Sequence, residues 1–280
     1  MTRSGAAYQV GERDEKNGSS ARGGSAALTL IPSLDGQTGI SYVRFAPRPP
    51  FDDRLVFMQE RGSETAAAFR LLRQRLIERN DPHIILCTSA GRHEGKSTLA
   101  ANLAMAYAEL GRHRVLLIEA SLRVTALGEM FGFLPPKGFA SQLAAHRSRP
   151  GDPWIVVQIG DAPLYVLAVE PRACPSCARV LAELASFCPM CGTNVTAVGA
   201  SEGLDGVAFS ATIETFRQSF DYLIIDAPPV LGSGEVNLMQ DTADAIVFAA
   251  RRGKTEAHEL RRAIDQVAPA PVAAVALVDQ

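Results

Sequence analysis

The chain has 280 residues, 47% of them hydrophobic and 21% charged, with a formal net charge of -2 at pH 7. That length admits one large α/β domain or two small ones, with ample apolar material for a core. The near-neutral balance argues against a broad attraction to nucleic acid or anionic membrane, so no nucleic-acid partner is expected. No run approaches the roughly 18 to 20 consecutive apolar residues of a membrane span, and the N-terminus lacks a signal-peptide core, which predicts a cytoplasmic protein.

Residues 1–50 read as a disordered N-terminal tail, most plainly residues 1–26, which are rich in Gly, Ser, Ala and charge without periodicity. Residues 51–280 read as a single domain. Pro47, Pro49 and Pro50 lead into an apolar run, Leu55-Val56-Phe57-Met58. Over residues 64–79 the pattern becomes helical, with Phe69, Leu72 and Leu76 on one face. Residues 83–88 are short and apolar enough for a buried parallel strand, which makes Cys87 a core residue rather than a nucleophile. A glycine-containing loop follows, then an Ala- and Leu-rich helix over 97–110 ended by Gly111, then a strand over 115–118. This order is a βαβ unit. Further strands are predicted at 154–157, 164–167, 222–225, 245–249 and 272–277, and helices at 209–220 and 256–267. The alternation predicts an α/β fold with a mostly parallel, doubly wound sheet. No internal repeat is evident.

The loop reads Gly91-Arg92-His93-Glu94-Gly95-Lys96-Ser97-Thr98. Backbone N–H groups in such a loop converge on an anion, and the following helix adds the positive end of its dipole. Gly95, Lys96 and Ser97 match the G-x-x-x-x-G-K-[ST] phosphate pattern, while Ala90 replaces its first glycine. Lys96 is expected to reach the β and γ phosphates of ATP and the Ser97 hydroxyl to ligate Mg²⁺, with Thr98 a further phosphate contact. A later apolar strand ends in Asp226, the kind of carboxylate that holds magnesium.

Two stretches, SAGRHEGKSTLAANL at 89–103 and FDYLIIDAPPV at 220–230, are joined by FDDRLVF, AFRLLRQRL, RVLLIEASLR and ADAIVFAARRGKT. Together they make the chain resemble the bacterial tyrosine kinase (BY-kinase) family of capsule and exopolysaccharide regulators over about residues 51–278. The resemblance implies a ParA/MinD-like P-loop ATPase fold in which a tyrosine replaces water as phosphoryl acceptor. It implies catalytic roles for Lys96, Asp226 and the residue at Glu119, and a phosphate contact from Arg123. It also implies a transmembrane polysaccharide co-polymerase or activator as partner, which would recruit the protein to the inner face of the membrane.

Three departures from the family pattern matter. The middle motif, usually Asp-x-Asp-x-Arg, is Glu119-Ala120-Ser121-Leu122-Arg123. A shifted base and a lost carboxylate should slow chemistry more than they weaken ATP binding, and restoring both aspartates is expected to raise turnover at least about tenfold. The family's oligomerisation helix carries Glu-x-x-Arg-x-x-Arg; Arg70 and Arg73 match for a homo-oligomer, but Ala67 stands at the glutamate. The tyrosine-rich tail has no counterpart before Gln280, leaving Tyr8 and Tyr42 as the more accessible candidates for phosphorylation. A catalytically weak scaffold of the same machinery is the alternative reading. A ParA/MinD-type positioning ATPase is a third, disfavoured because Gly91 stands where those proteins carry a signature lysine.

Cys174-Pro175-Ser176-Cys177 and Cys188-Pro189-Met190-Cys191-Gly192 form two C-x-x-C knuckles with ten residues between them. Four thiolates at this spacing suit one tetrahedral Zn²⁺ and leave no open position for catalysis. Residues 172–196 therefore read as a zinc-ribbon-like insertion, with a redox dithiol pair or an iron–sulfur site as alternatives.

Overall fold

The computed structural model describes residues 28–31, 39–122, 125–181, 185–196 and 205–278. In chain order the first half runs β1 (Thr29–Ile31), β2 (Ile40–Phe45), α1 (Val56–Gln59), α2 (Glu64–Asn80), β3 (Ile84–Ser89), α3 (Lys96–Ala108), β4 (Val115–Glu119), α4 (Leu127–Phe131) and α5 (Phe139–Ser148). The second half runs β5 (Trp154–Ile159), β6 (Leu164–Leu167), α6 (Gly206–Arg217), β7 (Tyr222–Asp226), α7 (Glu235–Met239), β8 (Ala245–Arg251), α8 (Ala257–Gln266) and β9 (Val272–Val278).

The strands form a nine-stranded sheet in the order β1-β2-β5-β6-β4-β7-β3-β8-β9. Among the described residues, only the β1–β2 and β5–β6 pairs of this sheet are antiparallel. The central strands β3, β4 and β7 are buried along their whole length, as parallel strands covered on both faces must be. Alternate residues feed two cores. Ile85, Cys87, Val115 and Leu117 face one side, where α3 packs through Leu99, Leu103 and Tyr107. Ile84, Leu86, Leu116 and Ile118 face the other, against Phe209, Ile213 and Phe216 of α6. Helix α3 is buried nearly all round because α2 covers the side turned away from the sheet, through Ala66 and Leu76. Its small Ala residues permit that close approach.

The mostly parallel, doubly wound sheet agrees with the expected fold class. The apolar run at Leu55 forms the short helix α1. A disordered tail reaching residue 50 does not hold. Residues 1–27 lie outside the described residues, but β1 and β2 are sheet strands, and β2 pairs in parallel with β5 from Ile40 opposite Trp154 to Phe45 opposite Ile159. Ile40, Tyr42, Val43 and Phe45 are buried, so β2 completes the core beyond β5. Tyr42 is therefore no accessible phosphorylation candidate: its hydroxyl accepts a hydrogen bond from Arg114 at 2.5 Å. Tyr8 lies outside the described residues.

Candidate nucleotide-binding site and metal centre

The C-terminal ends of β3, β4 and β7 converge on one edge of the sheet. Asp226 sits in register with Cys87 on one side and with Glu119 on the other. The segment after Asp226 is laced to the strand and loop that follow Cys87: Val230 donates to the Ser89 carbonyl at 2.9 Å, and Thr88 Oγ1 donates to the Pro228 carbonyl at 2.7 Å. The Asp-x-Pro-Pro segment and the glycine loop are thus held side by side.

Within the loop, the buried Glu94 carboxylate accepts the Gly91 N–H at 2.8 Å and closes the turn on itself. His93 and Gly95 both have left-handed backbone, at φ 60° and 89°. Gly95 is required twice over, since a Cβ there would also lie 2.9 Å from the Val278 side chain. Helix α3 begins at Lys96, so the free N–H groups of its first turn and its dipole face the loop. Ser97 and Thr98 lie in that first turn, half-buried. Arg92 and His93 are exposed at the crest.

Lys96 Nζ stands 3.7 Å from Asp226 Oδ1 and 3.3 Å from Ser97 Oγ. Asp226 is fully buried, and neither of its carboxylate oxygens has a hydrogen-bond partner. Burial pushes its carboxyl above the ordinary aspartate value, with the Lys96 charge pulling the other way. A buried carboxylate left without donors, beside a lysine and a serine hydroxyl at a helix N-terminus, suits a hydrated divalent cation and a phosphate.

Glu119 is placed otherwise than the motif suggests. It is fully buried rather than water-facing, and both its oxygens are occupied. Oε1 accepts from the N–H groups of Ala126 (2.5 Å) and Leu127 (3.0 Å), and Oε2 accepts from that of Val169 (2.7 Å). Burial raises its carboxyl from 4.5 to about 7 against the pull of these amides. Ser121 is buried two residues on, and Arg123 lies outside the described residues.

Two groups the sequence reading passed over touch the loop. Arg251 Nη1 and Lys254 Nζ, from the end of β8 and the turn after it, approach the His93 carbonyl at 3.4 and 3.3 Å. The basic run Arg251-Arg252-Gly253-Lys254 after a strand was the available signal. Arg70 and Arg73 are engaged within the chain. Arg70 donates from Nε to Glu109 at 2.7 Å and lies over the Phe57 ring, and Arg73 donates to the Ala106 carbonyl at the end of α3. Both guanidinium groups thus bond within the chain, Arg70 at an exposed position.

The four knuckle cysteines come together. One sulfur from each lies within 4.8 Å of the others, with 3.5 Å between Cys174 and Cys191 and between Cys177 and Cys188. Zn–S bonds of about 2.3 Å in a tetrahedron place sulfurs about 3.8 Å apart, so the cage fits the ion. The two halves are built alike. Ala178 donates its N–H to the Cys174 carbonyl from a left-handed φ of 57°, and Gly192 donates to the Cys188 carbonyl from a φ of 70°. The bridges Ala173–Val180 and Phe187–Asn194 occupy the same offsets. A 14-residue structural repeat thus exists where none was read from the sequence. Its core of Cys174, Leu181, Cys188 and Val195 is separate from the two faces of the sheet.

A phosphate loop between strand and helix, with a buried aspartate on the adjacent parallel strand, defines a P-loop nucleotide-binding protein. No protein-family profile matches the chain. Its curated relatives are bacterial tyrosine kinases and a polysaccharide transport protein. It is 27% identical to the tyrosine-protein kinase YwqD of Bacillus subtilis, covering 76% of this chain and 80% of that protein. It is 26% identical to the succinoglycan biosynthesis transport protein ExoP of Rhizobium meliloti, covering 71% of this chain but only 22% of that longer protein. The kinase domain of the Escherichia coli tyrosine kinase ETK shares the fold, with a TM-score of 0.60 at 18% identity over 81% of this chain and 80% of that one. The resemblance carried by the motifs is therefore shown in both sequence and fold.

Proposed function

We propose that the chain is an ATP-binding, tyrosine-kinase-like regulator of exopolysaccharide or capsule synthesis or export. The observation that carries this reading is the buried, donor-less carboxylate of Asp226 facing Lys96 and Ser97. Residues 51–280 supply the nucleotide-binding domain, extended by β1 and β2. Amides from Gly91 to Thr98 would cradle the phosphates, Lys96 would neutralise the outer ones, and Ser97 and Asp226 would hold Mg²⁺. Arg123 is kept as a phosphate contact. Magnesium, when bound, supplies charge neutralisation across the phosphates.

A second reading, a nucleotide-dependent scaffold with weak catalysis, is favoured by the occupied oxygens of Glu119 and by Ser121 in place of a carboxylate. Turnover by the purified protein separates the two. Both require ATP binding, which a ligand specific to the native state reports as added stability of about 2.7 kcal/mol at a hundredfold excess over Kd. Lys96→Ala should remove most of that gain, and the absence of any thermal shift at millimolar Mg-ATP in the unaltered protein would overturn both readings.

Residues 172–196 are proposed to be a structural zinc ribbon held by Cys174, Cys177, Cys188 and Cys191, whose cage fits a tetrahedral ion. No helix of the described residues is long and apolar enough to cross a membrane. A cytoplasmic protein recruited by a transmembrane co-polymerase or activator accords with ExoP, where a matching segment is part of a transport protein.

A further inference from the structure

We propose that Glu119 is a positioning residue: its carboxylate pins the first turn of α4 to the stem of the cysteine ribbon and so fixes the end of β4, where the middle motif begins, beside the phosphate site. This rests on the nucleotide reading above for its consequence, but the pin itself is a matter of geometry.

Glu119 ends β4, opposite Asp226 on β7. One oxygen takes the N–H groups of Ala126 and Leu127, which open α4, and the other takes that of Val169, two residues beyond β6. The Val169 amide lies 50 residues along the chain from Glu119, and among the described residues no other side chain accepts from these three amides. Leu127 and Val169 are buried, so without Glu119 their donors have no water to turn to. The described residues Ala120, Ser121 and Leu122 follow directly on the Glu119 end of β4. The Ala120 amide donates to the Asp226 carbonyl at 2.9 Å. The start of the middle motif is thus tied to the strand that carries Asp226, and its first residue, Glu119, is tied to the start of α4. On the other side, Val169 leads within five residues to Cys174 of the metal cage. An aspartate at 119 would keep the charge but fall short by a methylene, so the reach of glutamate is what the three amides require.

A metal-binding or proton-accepting carboxylate and a pin respond oppositely to conservative change. Glu119→Asp keeps a charged acid, whereas Glu119→Gln keeps length and one acceptor oxygen. The experiment compares both variants, and Lys96→Ala, in the full chain by amide hydrogen exchange and by Mg-ATP turnover at varied Mg²⁺. The pin predicts exchange at Ala126, Leu127 and Val169 about tenfold or more faster in Glu119→Asp, and at Val169 in Glu119→Gln, with turnover lowered more by Asp than by Gln. The Mg²⁺ concentration giving half-maximal turnover should stay within about twofold of the unaltered protein, because Glu119 does not ligate it. Failure of Glu119→Asp to fold while Glu119→Gln folds is the same result in extreme form. Unchanged exchange at all three amides in both variants, or turnover in Glu119→Asp at or above the unaltered level, overturns the proposal. If Lys96→Ala binds Mg-ATP normally, the nucleotide reading fails instead, and the exchange data still decide the pin.

Discussion

Acidity should reveal Glu119 through stability. Its carboxyl titrates at about 7 in the folded chain against 4.5 for an ordinary glutamate, because burial outweighs the three amides. A raised folded value means that the folded state holds the proton more tightly, so this contribution is complete below about pH 4.5 and is lost as pH rises through about 7. At about 1.4 kcal/mol per pH unit, the shift corresponds to about 3 kcal/mol, most of it lost between pH 5 and 8. The group is fully buried, which leaves little solvent screening to discount. Asp226, on the adjoining strand, adds to the effect in the same direction, and Lys96 opposes it there. For a chain of this size the Glu119 share amounts to about 6–12 °C in Tm. Melting the nucleotide-free protein at intervals from pH 5 to 8, beside Glu119→Gln, isolates it: the unaltered protein should lose that much more than the variant. Parallel profiles for the two would show that Glu119 is already ionised at pH 5, and that the amides outweigh burial.

Protein purified without added metal should contain one zinc per chain by elemental analysis, and Cys177→Ser with Cys191→Ser should abolish it; stoichiometric iron would refute the assignment. Because the ribbon core is separate from both faces of the sheet, the same variant should lose protease resistance within residues 172–196 while the sheet keeps its Tm within a few degrees. Replacing Arg70 and Arg73 with Ala should lower Tm at an unchanged sedimentation coefficient, since both guanidinium groups bond within the chain. Conversion of an oligomer to monomers with no change in Tm would refute that assignment.

The phosphate loop was legible in sequence because its chemistry demands particular residue types, Gly95, Lys96 and Ser97, in a fixed order between an apolar run and a helix. The cysteine cage was legible for the same reason. Glu119 was not, because its partners are backbone amides of Ala126, Leu127 and Val169, which no residue type announces. Strand β2 escaped because its partner β5 lies more than 100 residues further on, and proline and glycine flank its short alternation. The ribbon's repeat escaped because its halves share little beyond Cys-Pro-x-Cys, while the matching features are turns and bridges. For Arg70 and Arg73, the helical spacing showed which face they share but not that the end of α3 lies beneath it.

Glu119 and Asp226 are neighbouring buried carboxylates with opposite surroundings, and that contrast decides how the altered motif should be understood. Two such groups side by side cannot both be ionised cheaply without compensation. Here the compensation is divided: the Lys96 cation goes to Asp226, and three amide dipoles go to Glu119. Asp226 retains both oxygens for an incoming cation, while both oxygens of Glu119 already accept from the backbone. On the proposed pin, the extra methylene of Glu119 is the length that carries the carboxylate to the α4 turn and the ribbon stem. Ser121 fits the same division, since a third acid beside these two would add repulsion. On this reading the tenfold gain expected from restoring both aspartates does not follow: the exchange would strip two buried amides and one part-buried amide of their acceptor and add an unbalanced charge at the edge where phosphate must bind.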